Sequence, residues 1–151
     1  MDHSMYAAEL FLGGCNCAQA IVVAFSDVTG LDRELSAKFS SSFGGGMGRM
    51  REVCGAVSGM LMVAGLLYGY ADPGEKDANK KAHYALVQEL SAKFRQEAGS
   101  IVCREILKNP PSDPNPTPRT AEFYAKRPCT RLVILAAKIL DEYIAGHPAE
   151  K

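Results

Sequence analysis

The feature that most constrains this chain is a run of nineteen uncharged residues, 53–71, near the middle of the sequence. Such a run is about long enough to cross a bilayer as a helix. Glycines at positions 55, 59, 65 and 69 dilute its hydrophobicity, however. A helix that is apolar all round is equally typical of the buried centre of a soluble protein, and Gly55 and Gly59 would let a second helix approach closely. We therefore expect a buried central helix and no membrane insertion.

The rest of the chain has the apolar spacing of helices. No sustained alternation of apolar and polar residues and no Asn-Gly or Asp-Gly turn occurs, so strands are not expected. Caps and breakers predict further helices at 4–12, 16–25, 33–41, 75–97, 101–108 and 128–145. Residues 109–118 hold five of the eight prolines and predict an extended connector. The expected fold is all-α, one domain over 1–151, a compact bundle of about six to seven helices around the Gly-rich central helix.

Periodicity and position also predict which side chains face the core. On the helix 75–97 the apolar stripe consists of Ala78, Ala82, Ala85, Leu86, Leu90 and Phe94. On the last helix it consists of Leu132, Leu135, Ala136, Ile139, Leu140 and Tyr143. His3 and His147 lie near the termini and are expected to be solvated.

Charge and the first residues limit the class of function. Lys and Arg number 17 and Asp and Glu number 17, so the net charge is zero, which disfavours a nucleic-acid binder that relies on phosphate contacts. The start, MDHSMYAAEL, lacks the basic stretch and apolar core of a secretory signal. We therefore expect a cytoplasmic protein. In that reducing compartment cysteines more often bind metal or catalyse than form structural disulfides.

The glycine-rich segment 43–49 has only a superficial likeness to a phosphate-binding loop. It does not end in Gly-Lys-Ser/Thr, and the G-x-G-x-x-G spacing and a preceding buried strand are both missing. We interpret it as a turn or a site of close backbone approach, both of which favour glycine. The charged run that follows, 49–53, is expected to be a solvated helix start.

The five cysteines form no local metal motif. There is no C-x-x-C pair, and intervals of 37, 49 and 26 separate Cys17, Cys54, Cys103 and Cys129. Zinc knuckles and ferredoxin clusters use close pairs. The absence of C-x-x-C-H excludes covalently attached c-type haem.

The expected positions of the cysteines on the helices are more informative than their spacing. Cys17, Cys103 and Cys129 each fall in a predicted first turn, where the helix dipole favours the thiolate that attacks, is oxidised or binds metal. Arg104 beside Cys103, and Arg127 and Arg131 around Cys129, add positive charge. Cys54 is expected inside the central helix, where neighbouring glycines clear space for a cofactor, a second sulfur or a partner helix. The alternative is that these thiols pack as small apolar side chains.

Together these motifs resemble one family. In order along residues 6–143, the chain carries Gly14-x-Asn16-Cys17-Ala18-Gln19-Ala20, the glycine loop, Cys54-Gly55-Ala56-x-x-Gly59 and single cysteines at 103 and 129. This order resembles the C_GCAxxG_C_C family, small bacterial and archaeal proteins described as redox-active. The resemblance implies that Cys17, Cys54, Cys103 and Cys129 are the family cysteines and that Cys15 is incidental. Related modules occur in multidomain electron-transfer proteins, so the resemblance also makes an iron–sulfur or other metal site conceivable.

We expect a redox-active protein, an oxidoreductase or an electron-transfer protein, and two mechanisms stay open. Thiolates cycle with a disulfide, or the four family cysteines hold one metal ion or an iron–sulfur cluster, with Gly55 and Gly59 bordering the cofactor. Both mechanisms require these four cysteines to lie near one another, with Cys15 pointing away. The alternative of a different class is a non-catalytic accessory or ligand-binding helical module with structurally buried cysteines. The redox partner is unknown, and a homodimer stays open.

Overall fold

The computed structural model describes residues 2–149, and this part of the chain is all-helical, as predicted. Helices account for 67% of it, it contains no strand, and one isolated antiparallel bridge joins Val53 to Val102. The α-helices between residues 2 and 149 are α1 His3–Leu12, α2 Cys17–Ala24, α3 Ser26–Thr29, α4 Arg33–Ser40, α5 Gly55–Tyr68, α6 Ala78–Ala98, α7 Cys103–Ile106, α8 Ala121–Lys126 and α9 Cys129–Gly146. Short 3₁₀ turns occupy Ser41–Phe43 and Glu75–Asp77.

Two short helices, α3 and α8, raise the count above the six to seven that the sequence predicts. Helix α3 is a single further turn after Phe25 and ends at Gly30, which has a left-handed φ of 76°. Helix α8 follows the proline-rich connector, and its Thr120 cap accepts a hydrogen bond from the Phe123 N–H. Such a cap contributes about 1 kcal/mol, which helps a six-residue helix to form where the apolar pattern indicated none.

Side-chain caps fix the start of α2 and α4 where the sequence predicts them. The Asp32 carboxylate accepts from the Leu35 N–H at 2.9 Å. Asn16 and Gln19 form a reciprocal capping box, with each side-chain oxygen accepting from the other residue's N–H at 2.9 and 3.0 Å. This box orients the first turn of α2, where Cys17 lies.

Helix α5 is shorter than the uncharged run that predicts it. It covers 14 residues, Gly55–Tyr68, and packs against α2, α6 and α9. A Cβ built on Gly59 would lie 2.9 Å from both the Ala18 carbonyl oxygen and the Ile21 Cβ of α2. The close helix approach predicted from the glycines is therefore confirmed. Among residues 2–149, no helix combines the length and the apolar character needed to cross a membrane.

The long helices α6 and α9 bury their predicted stripes to different extents. On α9 the predicted inward residues that are buried are Leu132, Ala136, Ile139 and Leu140. On α6 burial is confined to Leu86, Leu90, Ser91 and Phe94. Three alanines predicted to face inward are exposed instead, namely Ala78, Ala82 and Ala85. A helical period identifies the apolar face of a helix but not how much of its length the rest of the protein covers.

His3 is buried, although the sequence predicts a solvated side chain. It is 5% exposed, and its Nδ1 lies 2.6 Å from Asp141 Oδ1 while its Nε2 lies 2.9 Å from Asp27 Oδ1. The ring stacks on Phe25 at 4.1 Å between centroids. These contacts join α1, α3 and α9, and position near a terminus carries no information about such tertiary contacts. His147 is exposed, as predicted.

Candidate redox site

Four cysteines lie at the starts of four helices. Cys17, Cys103 and Cys129 are the first residues of α2, α7 and α9, as the sequence predicts. Cys54 is the N-cap residue of α5, so its predicted position inside that helix is wrong. All four side chains are therefore attached where backbone N–H groups are free and the helix dipole is positive.

A long-range backbone pairing explains why α5 begins only after Cys54. The Cys54 N–H donates to the Ile101 carbonyl oxygen at 2.7 Å, and the Cys103 N–H donates to the Glu52 carbonyl oxygen at 2.6 Å. These bonds flank the isolated β-bridge and hold the chain extended before the helix. Because side chains alternate across extended backbone, the pairing also places Cys54 and Cys103 on the same side of the two segments.

The glycine-rich segment is a left-handed turn against this pairing. Residues 45–49 all have φ between 56° and 71°, including the non-glycine residues Met47 and Arg49, for which this region is costly. A Cβ on Gly46 would lie 2.8 Å from the Cys103 Cβ. The close backbone approach predicted for this segment is therefore confirmed, and only glycine permits it at position 46.

The turn carries Arg51 into the interior, although the sequence predicts a solvated helix start at 49–53. Arg51 has a φ of 63° and is 3% exposed. Its Nε donates to the Pro111 carbonyl oxygen at 3.0 Å, and its Nη1 donates to Cys103 Sγ at 3.7 Å. Its Nη2 is buried and has no hydrogen-bond partner among the described residues. Burial of this arginine follows from the left-handed turn, which local sequence does not reveal.

Cys17, Cys54, Cys103 and Cys129 line a single cavity of about 460 Å³. The sequence predicts that these residues, far apart in the chain, lie near one another, and the cavity brings them together. Cys15 is not part of the lining. It is partly buried and packs against the hydrophobic core.

The two glycines expected to border a cofactor lie in different surroundings. Gly55 lines the cavity, and a Cβ on it would lie 3.0 Å from the Cys17 Cβ. The absence of a side chain there lets the starts of α5 and α2 meet. Gly59 lies one turn further along and contacts Ala18 and Ile21 of α2, which is a helix-packing position outside the cavity lining.

The cysteines do not form a metal-ligand set in this arrangement. Within residues 2–149, no group of three or more His, Cys, Asp or Glu side chains is placed so that it could hold a metal ion. A tetrahedral thiolate site needs every sulfur about 2.3 Å from one centre. The residues as placed therefore do not fit the single metal ion or the iron–sulfur cluster that the sequence leaves open. All five cysteines are free thiols.

Hydrogen bonding between the Cys17 and Cys129 thiols is the largest influence on the pKa of each residue. It lowers the pKa of Cys129 to about 7, assisted by the positive charges of Arg127 and Arg119 and opposed by burial. The same hydrogen bonding, together with burial, raises the pKa of Cys17 well above its ordinary value. The pair therefore loses its first proton near neutral pH, and it does so more readily from Cys129 than from Cys17.

The other two thiols of the cavity are neutral near pH 7. Burial raises the pKa of Cys54 to about 12, although the N–H groups of Ala56 and Val57 oppose it. Burial also raises the pKa of Cys103, against the hydrogen bond and charge of Arg51. The sequence predicts thiolate character at each first-turn cysteine, but only Cys129 has a lowered pKa. At Cys17 hydrogen bonding with Cys129 and then burial oppose the thiolate, and at Cys103 burial does.

The proline-rich connector 109–118 forms one wall of the cavity. It is free of helix, as predicted, and Pro114, Pro116 and Thr117 line the cavity. Arg49 holds the wall in place by donating from Nη1 to Thr117 Oγ1 at 2.7 Å. The composition of the connector predicts its conformation but not its role at the site.

Sequence reasoning identified only one of the arginines that line the cavity, Arg127. Arg49 and Arg51 come shortly after the glycine run, and this proximity was the available signal, although the left-handed backbone of the turn is not evident from the sequence. Arg119 gives no such signal, because its hydrogen bonds to backbone oxygens are all long-range. It donates to the Cys15 carbonyl oxygen at 3.2 Å and lies over the Phe11 ring at 4.5 Å.

Comparison with known families gives a match to the C_GCAxxG_C_C model, described as "putative redox-active protein", over residues 15–143. The match spans most of the chain and includes the four cysteines of the cavity. No curated protein and no solved structure matches the chain. The resemblance drawn from the motifs is confirmed, and the chain belongs to the C_GCAxxG_C_C family of redox-active proteins.

Proposed function

We propose that this protein is a thiol–disulfide redox protein in which Cys129 is the attacking thiolate and Cys17 is the resolving thiol. The observation that carries the proposal is that Cys17 and Cys129 line one cavity from the starts of α2 and α9, where their mutual influence moves their two pKa values in opposite directions. A thiol with a pKa near ambient pH combines a useful thiolate fraction with high nucleophilicity. Cys17, a neutral thiol beside it, is suited to attack the mixed disulfide in the second step.

The reaction begins when the Cys129 sulfur attacks a disulfide, R–S–S–R′, of the oxidised partner. A new S–S bond forms, which gives the mixed disulfide Cys129–S–S–R, and R′–S⁻ leaves with the electron pair of the broken S–S bond. Cys17 then gives its proton to R′–S⁻ and attacks the Cys129 sulfur, which releases R–S⁻. The products are a Cys17–Cys129 disulfide, R′–SH and R–S⁻, so two electrons pass from the protein to the partner.

Charge changes during the first step favour the second. The negative charge on Cys129 is one of the influences that raise the pKa of Cys17. The mixed disulfide removes that charge, and so the Cys17 thiol becomes easier to deprotonate when it is needed.

Cys54 and Cys103 complete the proposed four-cysteine site, and they react with disulfides more slowly than Cys129 does. Both line the cavity, and their raised pKa values leave little thiolate at neutral pH. They exchange with the Cys17–Cys129 disulfide only after deprotonation. The cytoplasmic location expected from the sequence is part of the proposal, because reductants there return disulfides to thiols.

A second candidate function is a non-catalytic ligand-binding module in which the cysteines only pack. The burial of Cys54, which is 5% exposed and belongs to the hydrophobic core cluster, favours this alternative. It requires that Cys129 show no greater reactivity near neutral pH than an ordinary buried thiol.

The test is the pH dependence of iodoacetamide labelling at Cys129, followed by peptide mass spectrometry. We expect half-maximal reactivity near pH 7. Cys17→Ala should raise that midpoint by about 1–2 pH units, because a hydrogen bond to a charged group contributes about 1.5–3 kcal/mol. The matched control, Cys15→Ser, should leave the midpoint unchanged, since Cys15 lies outside the cavity lining. A midpoint that does not move in a folded Cys17→Ala protein would overturn the proposal.

A further inference from the structure

The cavity at the four cysteines carries charge of one sign. Among the described residues its lining includes Arg49, Arg51, Arg119 and Arg127 but no aspartate or glutamate. Arg49 pairs with Asp113, which lies outside the lining, at 3.8 Å, whereas the other three arginines form no ion pair with a carboxylate among the described residues. Clefts lined by one sign of charge raise the local concentration of ligands of the opposite sign.

Three of these arginines already interact with protein groups. Arg49 and Arg119 donate hydrogen bonds to carbonyl and hydroxyl oxygens of the connector, of α1 and of neighbouring loops. Arg127 lies over the ring of Phe123 at 4.8 Å. These interactions stabilise the cavity wall and account for the positions of these three side chains. They do not account for the burial of Arg51.

Arg51 is buried with part of its guanidinium unmatched. Its Nε and Nη1 bind the Pro111 carbonyl oxygen and Cys103 Sγ, whereas Nη2 has no partner among the described residues. Arg51 is 3% exposed and lines the cavity. The Cys103 thiol is neutral near pH 7, so of the Cys103 and Cys129 thiols only Cys129, whose pKa Arg51 helps to lower, offsets part of the charge. The Nη2 group remains a buried donor without a partner, which is rare in folded proteins.

Helix starts add further donors to the same space. Cys17, Cys54 and Cys129 line the cavity from the starts of α2, α5 and α9. Each of these helices is eight residues or longer, and such starts are favourable places for anions. The volume of about 460 Å³ lies in the range of small-molecule sites.

We propose that the cavity binds a small organic anion through a carboxylate on Arg51, and that the oxidant of Cys129 is a carboxylate-bearing low-molecular-weight disulfide. The second part rests on the proposed thiol–disulfide function, and the first part does not. A fork of guanidinium N–H groups suits a carboxylate. Arg51 contacts Cys103 and lines the same cavity as Cys129. Arg51 is thus a binding residue that positions the disulfide for attack.

Adipate tests the binding part without redox chemistry. It has the shape and charge of 2,2′-dithiodiacetate, with two methylene groups in place of the two sulfurs. We expect calorimetry to detect adipate binding that weakens with ionic strength. Arg51→Gln should weaken it roughly 10- to 100-fold, the usual effect of losing a hydrogen bond between charged groups. The affinity of Arg51→Lys for adipate should lie between those of the wild type and Arg51→Gln. The control Arg95→Gln, at an exposed position at the end of α6, should bind adipate as the wild type does.

Three disulfides test the reaction part by the rate at which Cys129 is oxidised. They are 2,2′-dithiodiacetate, a dianion, 2-hydroxyethyl disulfide, which is neutral, and cystamine, a dication. A thiolate acting alone attacks the dication fastest, whereas we expect the dianion to react fastest here. The ratio of the dianion rate to the neutral rate should fall roughly 10-fold or more in Arg51→Gln.

The outcomes separate this inference from the proposed function. If adipate does not bind and the dianion is not preferred, the inference is overturned, although oxidation by the neutral disulfide still supports the proposed function. If adipate binds through Arg51 and no disulfide oxidises Cys129, the anion site stands and the proposed function fails. If Arg51→Gln does not fold, the order of the three rates in the wild type and its dependence on salt decide the question.

Discussion

Replacing Gly46 by alanine tests whether the left-handed turn assembles the site. Gly46 has a φ of 71°, and a Cβ there would lie 2.7 Å from the Glu52 amide nitrogen and 2.8 Å from the Cys103 Cβ. A left-handed φ costs a non-glycine residue about 1–2 kcal/mol. Forcing an extra methyl group into a packed interior costs about 1–3 kcal/mol. We therefore expect Gly46→Ala to lower the free energy of unfolding by about 2–5 kcal/mol.

Gly30→Ala is the matched control for this substitution. Gly30 has a φ of 76°, but a Cβ there would have nothing within 4 Å. Gly30→Ala should therefore lower the free energy of unfolding only by the cost of a left-handed φ, about 1–2 kcal/mol. Urea unfolding followed by circular dichroism gives both values. Gly46→Ala should also slow the labelling of Cys129, because the segment that carries Arg51 must move away from Cys103. Equal losses of stability in the two variants would refute the reasoning, since the close approach of residue 46 to Cys103 would then contribute nothing to the loss.

Two further predictions concern stability. His3→Ala should lower the free energy of unfolding by about 2–3 kcal/mol, because it removes partly buried hydrogen bonds to Asp27 and Asp141 and the stacking on Phe25. A loss in urea unfolding no larger than that of the exposed control His147→Ala would contradict this. The pKa of Cys129 is lowered to about 7 in the folded protein, so its thiolate stabilises the fold most above the unfolded pKa, and this contribution is lost as pH falls through about 7. Relative to Cys129→Ser, the wild type should gain about 1–3 kcal/mol between pH 7 and pH 9, and parallel stability curves for the two proteins would count against it.

Local signals in the sequence were sufficient to predict most of the helices. Asn16 and Asp32 mark helix starts through hydrogen bonds to their own first turns, and Gly30 and Gly99 mark helix ends through left-handed backbone. These features act over a few residues, so they can be identified without knowing the fold. The predicted position of Cys17 and Cys129 in first turns has the same basis.

The electrostatics of the site could not be predicted in this way. Cys54 begins a helix rather than lying inside one because its N–H pairs with Ile101, 47 positions away in the numbering. Arg51 is buried because a left-handed turn directs it inward against Cys103. The opposite pKa values of Cys17 and Cys129 depend on a contact between two helices and on desolvation, which outweighs helix-start effects at the neighbouring thiols. Each of these features is tertiary.

The most direct test of the account is a map of the disulfides formed under limited oxidation. The folded protein is treated with one equivalent of 2-hydroxyethyl disulfide, which is neutral and so does not depend on the anion site, and its peptides are identified by mass spectrometry. The account predicts a Cys17–Cys129 disulfide as the main product, and in Cys17→Ala a mixed disulfide that accumulates on Cys129. A main product that joins Cys54 to Cys103, or mixed disulfides found chiefly on Cys15, would contradict the assignment of Cys129 and Cys17 as the reacting pair.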